Sequence, residues 1–289
     1  MRIDLHTHSS VSDGTEPPAD LVRAAATARL DVVALTDHDT TAGWDEAVAA
    51  ARETGMGLVR GIEISTVHGG SSVHLLAYLP DPEDATLQAE LDRVVEGREQ
   101  RVPRMLEQLR ELGIPATEEA LAAVSRGNTV TGRPHVADML VALGAVRDRD
   151  EAFARYLADR GPAYVDRYAP ELTDMIALVT GARGVPVVAH PWGRGSQEVL
   201  DDAAFAALAE AGLFGIEVDH LDHDARKRGR LREIAGRLGL VVTGSSDHHG
   251  TGKLGHDLGC ETTAPAHLDR ILERAADLGS PTDLVGRAA

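Results

Sequence analysis

The sequence predicts an α/β fold, a seven-stranded relative of the (βα) barrel interrupted by a helical insertion. Short β-branched or Leu-rich runs alternate with amphipathic, Ala-rich stretches, the pattern of successive strand–helix units. Residue types that bind metals recur where those runs end, on the face where barrel enzymes place their chemistry. Between Pro80 and about Pro170 the strand signal stops and helical patterns take over. A chain of 289 residues accommodates one barrel and a small inserted unit.

In chain order, strands are predicted near 2–5, 31–36, 58–63, 73–79, 185–190, 214–219 and 240–245. Helices are predicted over 17–28, 41–54, 170–182, 197–211, 222–237 and 266–277. Thr40 or Thr41, ahead of Asp45 and Glu46, reads as the N-cap of the second helix. Gly69-Gly70 reads as the tip of a hairpin between the third and fourth strands. That tip pairs Ser65 with His74 and leaves Glu63 two residues away on the same face, a diagonal of roughly 7–8 Å. Residues 85–112, 117–125, 133–143 and 148–159 read as helices, with breaks at 113–115 and 126–128. Residues 1–80 and 170–289 thus form the barrel, and 81–169 the insertion. The insertion gathers basic residues in REQRVPR (98–104) and TGRPHVAD (131–138).

A net charge of −17 argues against broad, salt-driven binding to duplex nucleic acid. A phosphorylated substrate stays open, because three divalent ions would bring up to about +6 into one cleft. Cys260 is the only cysteine, so neither an internal disulfide nor a thiolate metal site is available. No apolar run approaches the roughly 20 residues of a membrane span, and the N-terminus lacks the pattern of a signal peptide. A soluble, cytoplasmic protein with no membrane partner is expected; the oligomeric state stays open.

His6, His8, Asp13, His38, Glu63, His74, His190, Asp247 and His249 are candidate ligands, six imidazoles and three carboxylates. One zinc takes about four ligands, so two or three ions sharing carboxylates are implied. An N/O donor set of that kind commonly hydrolyses phosphate esters. His6 and His8 alternate with Leu5 and Thr7, so both rings point one way from an extended chain end. His38 is the best donor in DHD (37–39), where Asp37 and Asp39 suit a helix N-cap region. Glu63 and His74 meet across the hairpin, His190 closes VPVVA, and Asp247 and His249 share a face in SSDHHG while His248 points away. Asp4 is expected to be a polar group of the barrel core or to orient an imidazole from outside the ligand set. Asp13 by itself is an ordinary turn residue. His68, His220, His223, His256 and His267 are expected on the surface or in turns. Lys253, one of two lysines with Lys227, lies in a Gly-rich loop where a point charge meets phosphate.

Taken together, DLHTHS, SDG, TDHDT, GIEIS, VHLLAY, AHPWG and SDHHG span nearly the whole chain and resemble the PHP (polymerase and histidinol phosphatase) superfamily of metal-dependent phosphoesterases. The resemblance implies a distorted (βα)7 barrel and a trinuclear site. It assigns His6, His8, Glu63 and Asp247 to one ion, Glu63, His74 and His190 to a second, and Asp13, His38 and His249 to a third. Asp13 stands where histidinol phosphatases usually carry histidine, and the compact hairpin with a helical insertion is not their pattern. The chain resembles instead the members that act on nucleoside 3′,5′-bisphosphates, AMP-like nucleotides or short RNA 5′ ends. In that branch a GRPH element roofs the site, which implicates Arg133 and His135 in holding the substrate.

The expected activity is hydrolysis of a phosphate ester by a metal-bridging hydroxide, with no further catalytic side chain required. The expected substrates are a small phosphorylated nucleotide or short single-stranded RNA, not duplexes. Zinc, manganese and iron all suit the donor set. The rival readings are a histidinol-phosphate phosphatase, an amidohydrolase-like metal hydrolase and a non-catalytic metal-binding regulator. The second wants a strand-end lysine, which neither Lys227 nor Lys253 supplies; the third would be favoured by missing ligands.

Overall fold

The computed structural model describes residues 1–125, 132–158, 161–193, 196–282 and 284–286. Seven strands form one sheet in sequence order: β1 (Ile3–Asp4), β2 (Val32–Leu35), β3 (Gly57–His68), β4 (Ser71–Tyr78), β5 (Val185–Val188), β6 (Gly215–Asp219) and β7 (Val241–Gly244). Neighbours are parallel except at β4, which runs antiparallel to β3 and to β5. A bridge between Thr7 and His248, with His8 N donating to His248 O at 2.9 Å, draws the ends of β1 and β7 together into a nearly closed barrel.

The flanking helices are α1 (Pro18–Thr27), α2 (Trp44–Thr54), α7 (Leu172–Gly181), α8 (Asp202–Glu210), α9 (Ala225–Leu238) and α10 (Pro265–Asp277). Between β4 and β5 lie α3 (Ala85–Glu111), α4 (Glu118–Val124), α5 (Arg133–Ala142), α6 (Arg149–Ala152) and a π-helical turn, Phe153–Leu157. The break expected at 126–128 lies outside the described residues. Helix α2 starts later than expected: its N-cap is Gly43, and Thr40 and Thr41 close the preceding turn by accepting from Ala42 N and Trp44 N. Asp84 caps the 27-residue α3 by accepting from Thr86 N and Leu87 N, satisfying two of its first amides.

Alternate strand residues separate into two apolar layers, as the two-residue period of a strand requires. Val33, Leu35, Ile62 and Ile64 pack with α1, α2 and α7–α9, through Leu21, Ala47, Ile176, Phe205 and Ile234. Val32, Ala34, Val59, Leu76 and Tyr78 pack with one another and with Leu268, Ile271 and Ala275 of α10. A third cluster, including Met105, Leu109, Val136, Leu140 and Leu157, joins helices α3–α6. Arg98 ties that helical segment to the barrel: it donates to Ser65 Oγ and pairs with Asp39, both at 2.8 Å. Arg149 adds a second tie, bidentate to Asp138 at 2.6 Å and reaching Asp13 O at 3.4 Å. Among the described residues, no helix is long and apolar enough to cross a membrane.

Candidate metal centre

The barrel's strand ends converge on Glu63. The hairpin places Ser65 opposite His74 and Glu63 opposite Leu76, so Glu63 and His74 face the same side. Glu63 Oε1 lies 2.7 Å from His74 Nδ1 and 2.9 Å from His190 Nε2. Its other oxygen lies 3.3 Å from His6 Nε2, 3.2 Å from His8 Nε2 and 3.1 Å from His38 Nδ1. Asp247 Oδ1 approaches His6 Nε2 at 3.6 Å and His8 Nε2 at 3.3 Å. Asp13 lies 3.6 Å from His38 and 3.3 Å from His249. Ligand atoms gather within 4.8 Å of one another in the sets His8–Asp13–His38–His249, His6–His8–Asp247, His6–Glu63–His190 and His38–Glu63–His74, all buried.

Electrostatics holds the three carboxylates ionised and favours the neutral form of two of the imidazoles. Burial opposes ionisation of Glu63, but His38, His74 and His6 outweigh it and hold the carboxyl well below its usual range. Asp13 and Asp247 are held down in the same way against burial, Asp13 by His38 and His249, Asp247 by Lys253 and His6. Burial pushes His38 and His249 down, toward the neutral imidazole a metal needs. His6 is opposite: burial works against its charge, yet Glu217, Glu63 and Asp247 hold its pKa well above the usual value. Among the described residues, no hydrogen bond reaches His6 Nε2, either ring nitrogen of His8, or His38 Nδ1, although all are buried. Buried polar atoms that meet a charge without a hydrogen bond are costly. An N/O cluster that leaves four ring nitrogens in this state fits divalent ions.

Several residues behave differently from the expectation. Asp4 follows the barrel-core alternative and not the imidazole-orienting one: it is buried, and its carboxylate accepts from the backbone N–H groups of Ser246 (3.0 Å), Gly259 (2.8 Å) and His6 (3.5 Å). Asp37 and Asp39 do not cap a helix. Asp37 accepts from Ser9 N, Ser9 Oγ and Ser12 Oγ, and Asp39 from Ser65 N and Ser65 Oγ, so they brace the ligand-bearing loops. His220, His223 and His256, expected on the surface or in turns, are buried. His220 accepts from Asp222 N on Nδ1 at 3.1 Å and meets Asp247 Oδ2 through Nε2 at 3.3 Å. His220, Asp247 and His256 form a further buried trio within ligand distance. His248, by contrast, turns away as expected, to Glu16 and His256 O.

Glu217 was not anticipated. It is wholly buried on β6, with His6 Nδ1 at 3.1 Å and His190 N donating to it at 2.8 Å. An acid between Ile216 and Val218, inside an apolar strand, was the available signal.

A cavity of about 680 Å³ opens over the cluster. Asp13, His38, His74, His190 and His249 form one side of its lining, and Arg98, Arg101, Arg133, Arg149 and Arg167 enter from the β4–β5 segment. Lys253 also lines it, with Nζ 2.5 Å from Asp247 Oδ2. Arg133 lies over the Phe153 and Tyr164 rings and donates to Leu157 O. His135 is not among the lining residues; it is buried, and its Nδ1 accepts from Gly132 N at the start of α5. Arg101 is 6% exposed, and among the described residues no hydrogen bond or carboxylate partners it. Burial pushes its pKa down, and Arg167, Arg133 and Arg98 add to the effect.

Buried imidazoles and carboxylates under a cationic cavity, at the strand ends of a seven-stranded barrel, define a metal-dependent hydrolase for anionic substrates. The chain belongs to the PHP family of metal-dependent phosphoesterases, enzymes that hydrolyse phosphoric esters. A PHP domain model matches residues 4–90. A 3′,5′-nucleoside bisphosphate phosphatase of Chromobacterium violaceum is 34% identical over 257 residues, covering 89% of this chain and 90% of that one. The 5′-3′ exoribonuclease Rnm of Escherichia coli is 31% identical over 252 residues, covering 85% and 84%. A crystal structure from Bifidobacterium adolescentis, described as a metal-dependent phosphoesterase, superposes with a TM-score of 0.89 at 39% identity, over 94% of this chain and 96% of that one.

Proposed function

We propose that this enzyme hydrolyses a phosphate ester on a nucleotide that carries a second phosphate: it releases phosphate from a nucleoside 3′,5′-bisphosphate, or cleaves the first internucleotide ester beside the 5′-phosphate of a short single-stranded RNA. Arg101 carries the reading. A buried guanidinium with no carboxylate partner among the described residues, beside three other arginines, is costly in the free protein and calls for an anion. A substrate with one phosphate at the metal cluster and another among Arg98, Arg101, Arg133 and Arg167 supplies it, through charge-assisted and bidentate hydrogen bonds. A cavity of about 680 Å³ suits a mononucleotide.

His6, His8, Asp13, His38, Glu63, His74, His190, Asp247 and His249 are the residues that would hold the ions, with Glu63 shared between two. When bound, divalent ions stabilise charge on the phosphoryl oxygens and activate water for in-line attack. Around them the protein binds and orients. The arginines fix the second phosphate and so set which ester faces the cluster. Lys253 neutralises the outward oxygen of Asp247 and offers a cation at the cavity wall. His135 acts indirectly, by shaping the turn that presents Arg133. Residues 81–169 act as a roof that limits water and excludes long substrates. The names of the Chromobacterium and Escherichia relatives support both substrate classes.

Histidinol phosphate suits the cavity poorly, since its amine and imidazole would face the arginines. The test is phosphate release from a nucleoside 3′,5′-bisphosphate, AMP and histidinol phosphate, and mononucleotide release from a short 5′-phosphorylated RNA, under equal metal loading. The reading expects the bisphosphate to have the highest kcat/KM and histidinol phosphate the lowest. Equal rates on AMP and the bisphosphate would remove the second-phosphate contact.

A further inference from the structure

We propose that Glu217 is a positioning residue of the metal centre: a single carboxylate on β6, outside the nine proposed ligands, fixes the ring of His6 and the backbone of His190. The proposal rests on reading His6 and His190 as ligands. Glu217 is 0% exposed in a strand of apolar neighbours, where a charge costs free energy unless it is fully engaged. Its engagement is specific. Oε1 and Oε2 lie 3.1 and 3.3 Å from His6 Nδ1, and Oε2 accepts from His190 N at 2.8 Å.

Both contacts serve the cluster. An imidazole that binds a metal through Nε2 keeps its proton on Nδ1, and a carboxylate at Nδ1 enforces that tautomer and the ring's direction. His6 Nε2 then faces Glu63 and Asp247, at 3.3 and 3.6 Å, and among the described residues no hydrogen bond satisfies it. His190 adopts φ +23°, a conformation that a side-chain-bearing residue rarely takes without support. The bond from its N–H to Glu217 holds that peptide, and so directs His190 Nε2 toward Glu63 Oε1 at 2.9 Å. One acid on the sixth strand therefore sets ligands that follow the first and the fifth.

The test uses the zinc-loaded full chain with ¹⁵N-labelled histidine. NMR is expected to show His6 bound through Nε2 with its Nδ1 proton retained; zinc bound through Nδ1 would overturn the proposal. Glu217→Gln offers one oxygen and one NH₂ where two N–H donors converge, so one contact must be lost. Zinc affinity, read by chelator competition, should weaken by about 10–100-fold, and Glu217→Asp should recover part of the loss. A structural role alone would lower Tm and leave both the affinity and the His6 tautomer as they were, and that result overturns the proposal. If Glu217→Gln does not fold, the wild-type spectrum still decides. Absence of zinc at His6 in the wild type would sink the ligand reading itself, whereas zinc on His6 with unchanged affinity in Glu217→Gln removes only the role of Glu217.

Discussion

Glu63 Oε1 lies 2.7 Å from His74 Nδ1, across a hairpin whose register pairs His74 with Ser65 and not with Glu63. The contact is therefore diagonal. It leaves the second oxygen of Glu63 free of the hairpin, 3.1–3.3 Å from the rings of His6, His8 and His38. One carboxylate faces five imidazoles from four places in the chain.

That sharing predicts unequal losses of metal. Glu63→Ala should disturb two ions, because each carboxylate oxygen belongs to a different group of histidines. His249→Ala should empty only the position it shares with Asp13 and His38. Elemental analysis of saturated, desalted protein checks this, with wild type holding up to three ions per chain. A single ion in the saturated wild type would overturn the scheme.

What could be read from the residues, and what could not, follows from how far each contact reaches. The Gly69-Gly70 tip determined the hairpin register by counting, and strand alternation put His6 and His8 together. Seven strands and the long helical segment were visible because their periods are local. Glu217 and His220 were missed because their partners lie on other strands: His6 is 211 residues away and Asp247 is 27. VDHLDHD looks like a solvated acidic loop until the barrel folds around it. Asp37 and Asp39 likewise carried the local signature of a helix start, and tertiary hydrogen bonds to Ser9 and Ser65 won. The basic stretch 98–104 was evident, but its periodicity could not reveal that Arg98 and Arg101 face one cavity with Arg167.

Arg101 should trade stability for substrate binding. Its folded-state pKa lies below the ordinary value, first through burial and then through Arg167, Arg133 and Arg98, so its charged form destabilises the fold at neutral pH. Arg101→Met should raise Tm in ligand-free protein. It should also raise KM for a nucleoside bisphosphate about tenfold or more, the scale of a lost charge-assisted hydrogen bond of about 1.5–3 kcal/mol. Arg133→Ala should raise KM in the same direction. Neither change should much alter hydrolysis of a small synthetic phosphodiester. Calorimetry and paired kinetics check it; equal losses on both substrates would place these arginines in the chemistry or the fold.

The helix α6 should loosen in acid over a defined window. Glu151 accepts from Arg147 N, Arg147 Nε and Arg155 Nη1, each at 2.9 Å, and these bonds lower its pKa to about 2 from the ordinary 4.5. A depressed carboxyl stabilises the folded state fully above 4.5, and the contribution fades as pH falls toward 2. The site is exposed, so the effect is small and weakens with salt. The carboxyl ¹³C titration of Glu151 should show a midpoint near 2, and Glu151→Gln should abolish the corresponding change in α6. A midpoint at the ordinary value would show that these bonds do not persist in solution.

RNA should be attacked from one end only. If residues 81–169 roof the cluster, the cavity of about 680 Å³ has room for one or two nucleotides and would take a strand by its end. The net charge of −17 opposes the approach of a long phosphate backbone. A 5′-terminal phosphate followed by the first internucleotide phosphate presents the same two-phosphate pattern as a nucleoside 3′,5′-bisphosphate. Single-stranded RNA should therefore be shortened stepwise from a free 5′-phosphate end, while a duplex, too wide to enter and stiff at its ends, resists. Time-resolved gels of RNA labelled at its 3′ end should show a ladder that shrinks one nucleotide at a time. Internal fragments that precede mononucleotides would refute end-directed cleavage, and no cleavage of any RNA would restrict the enzyme to small nucleotides.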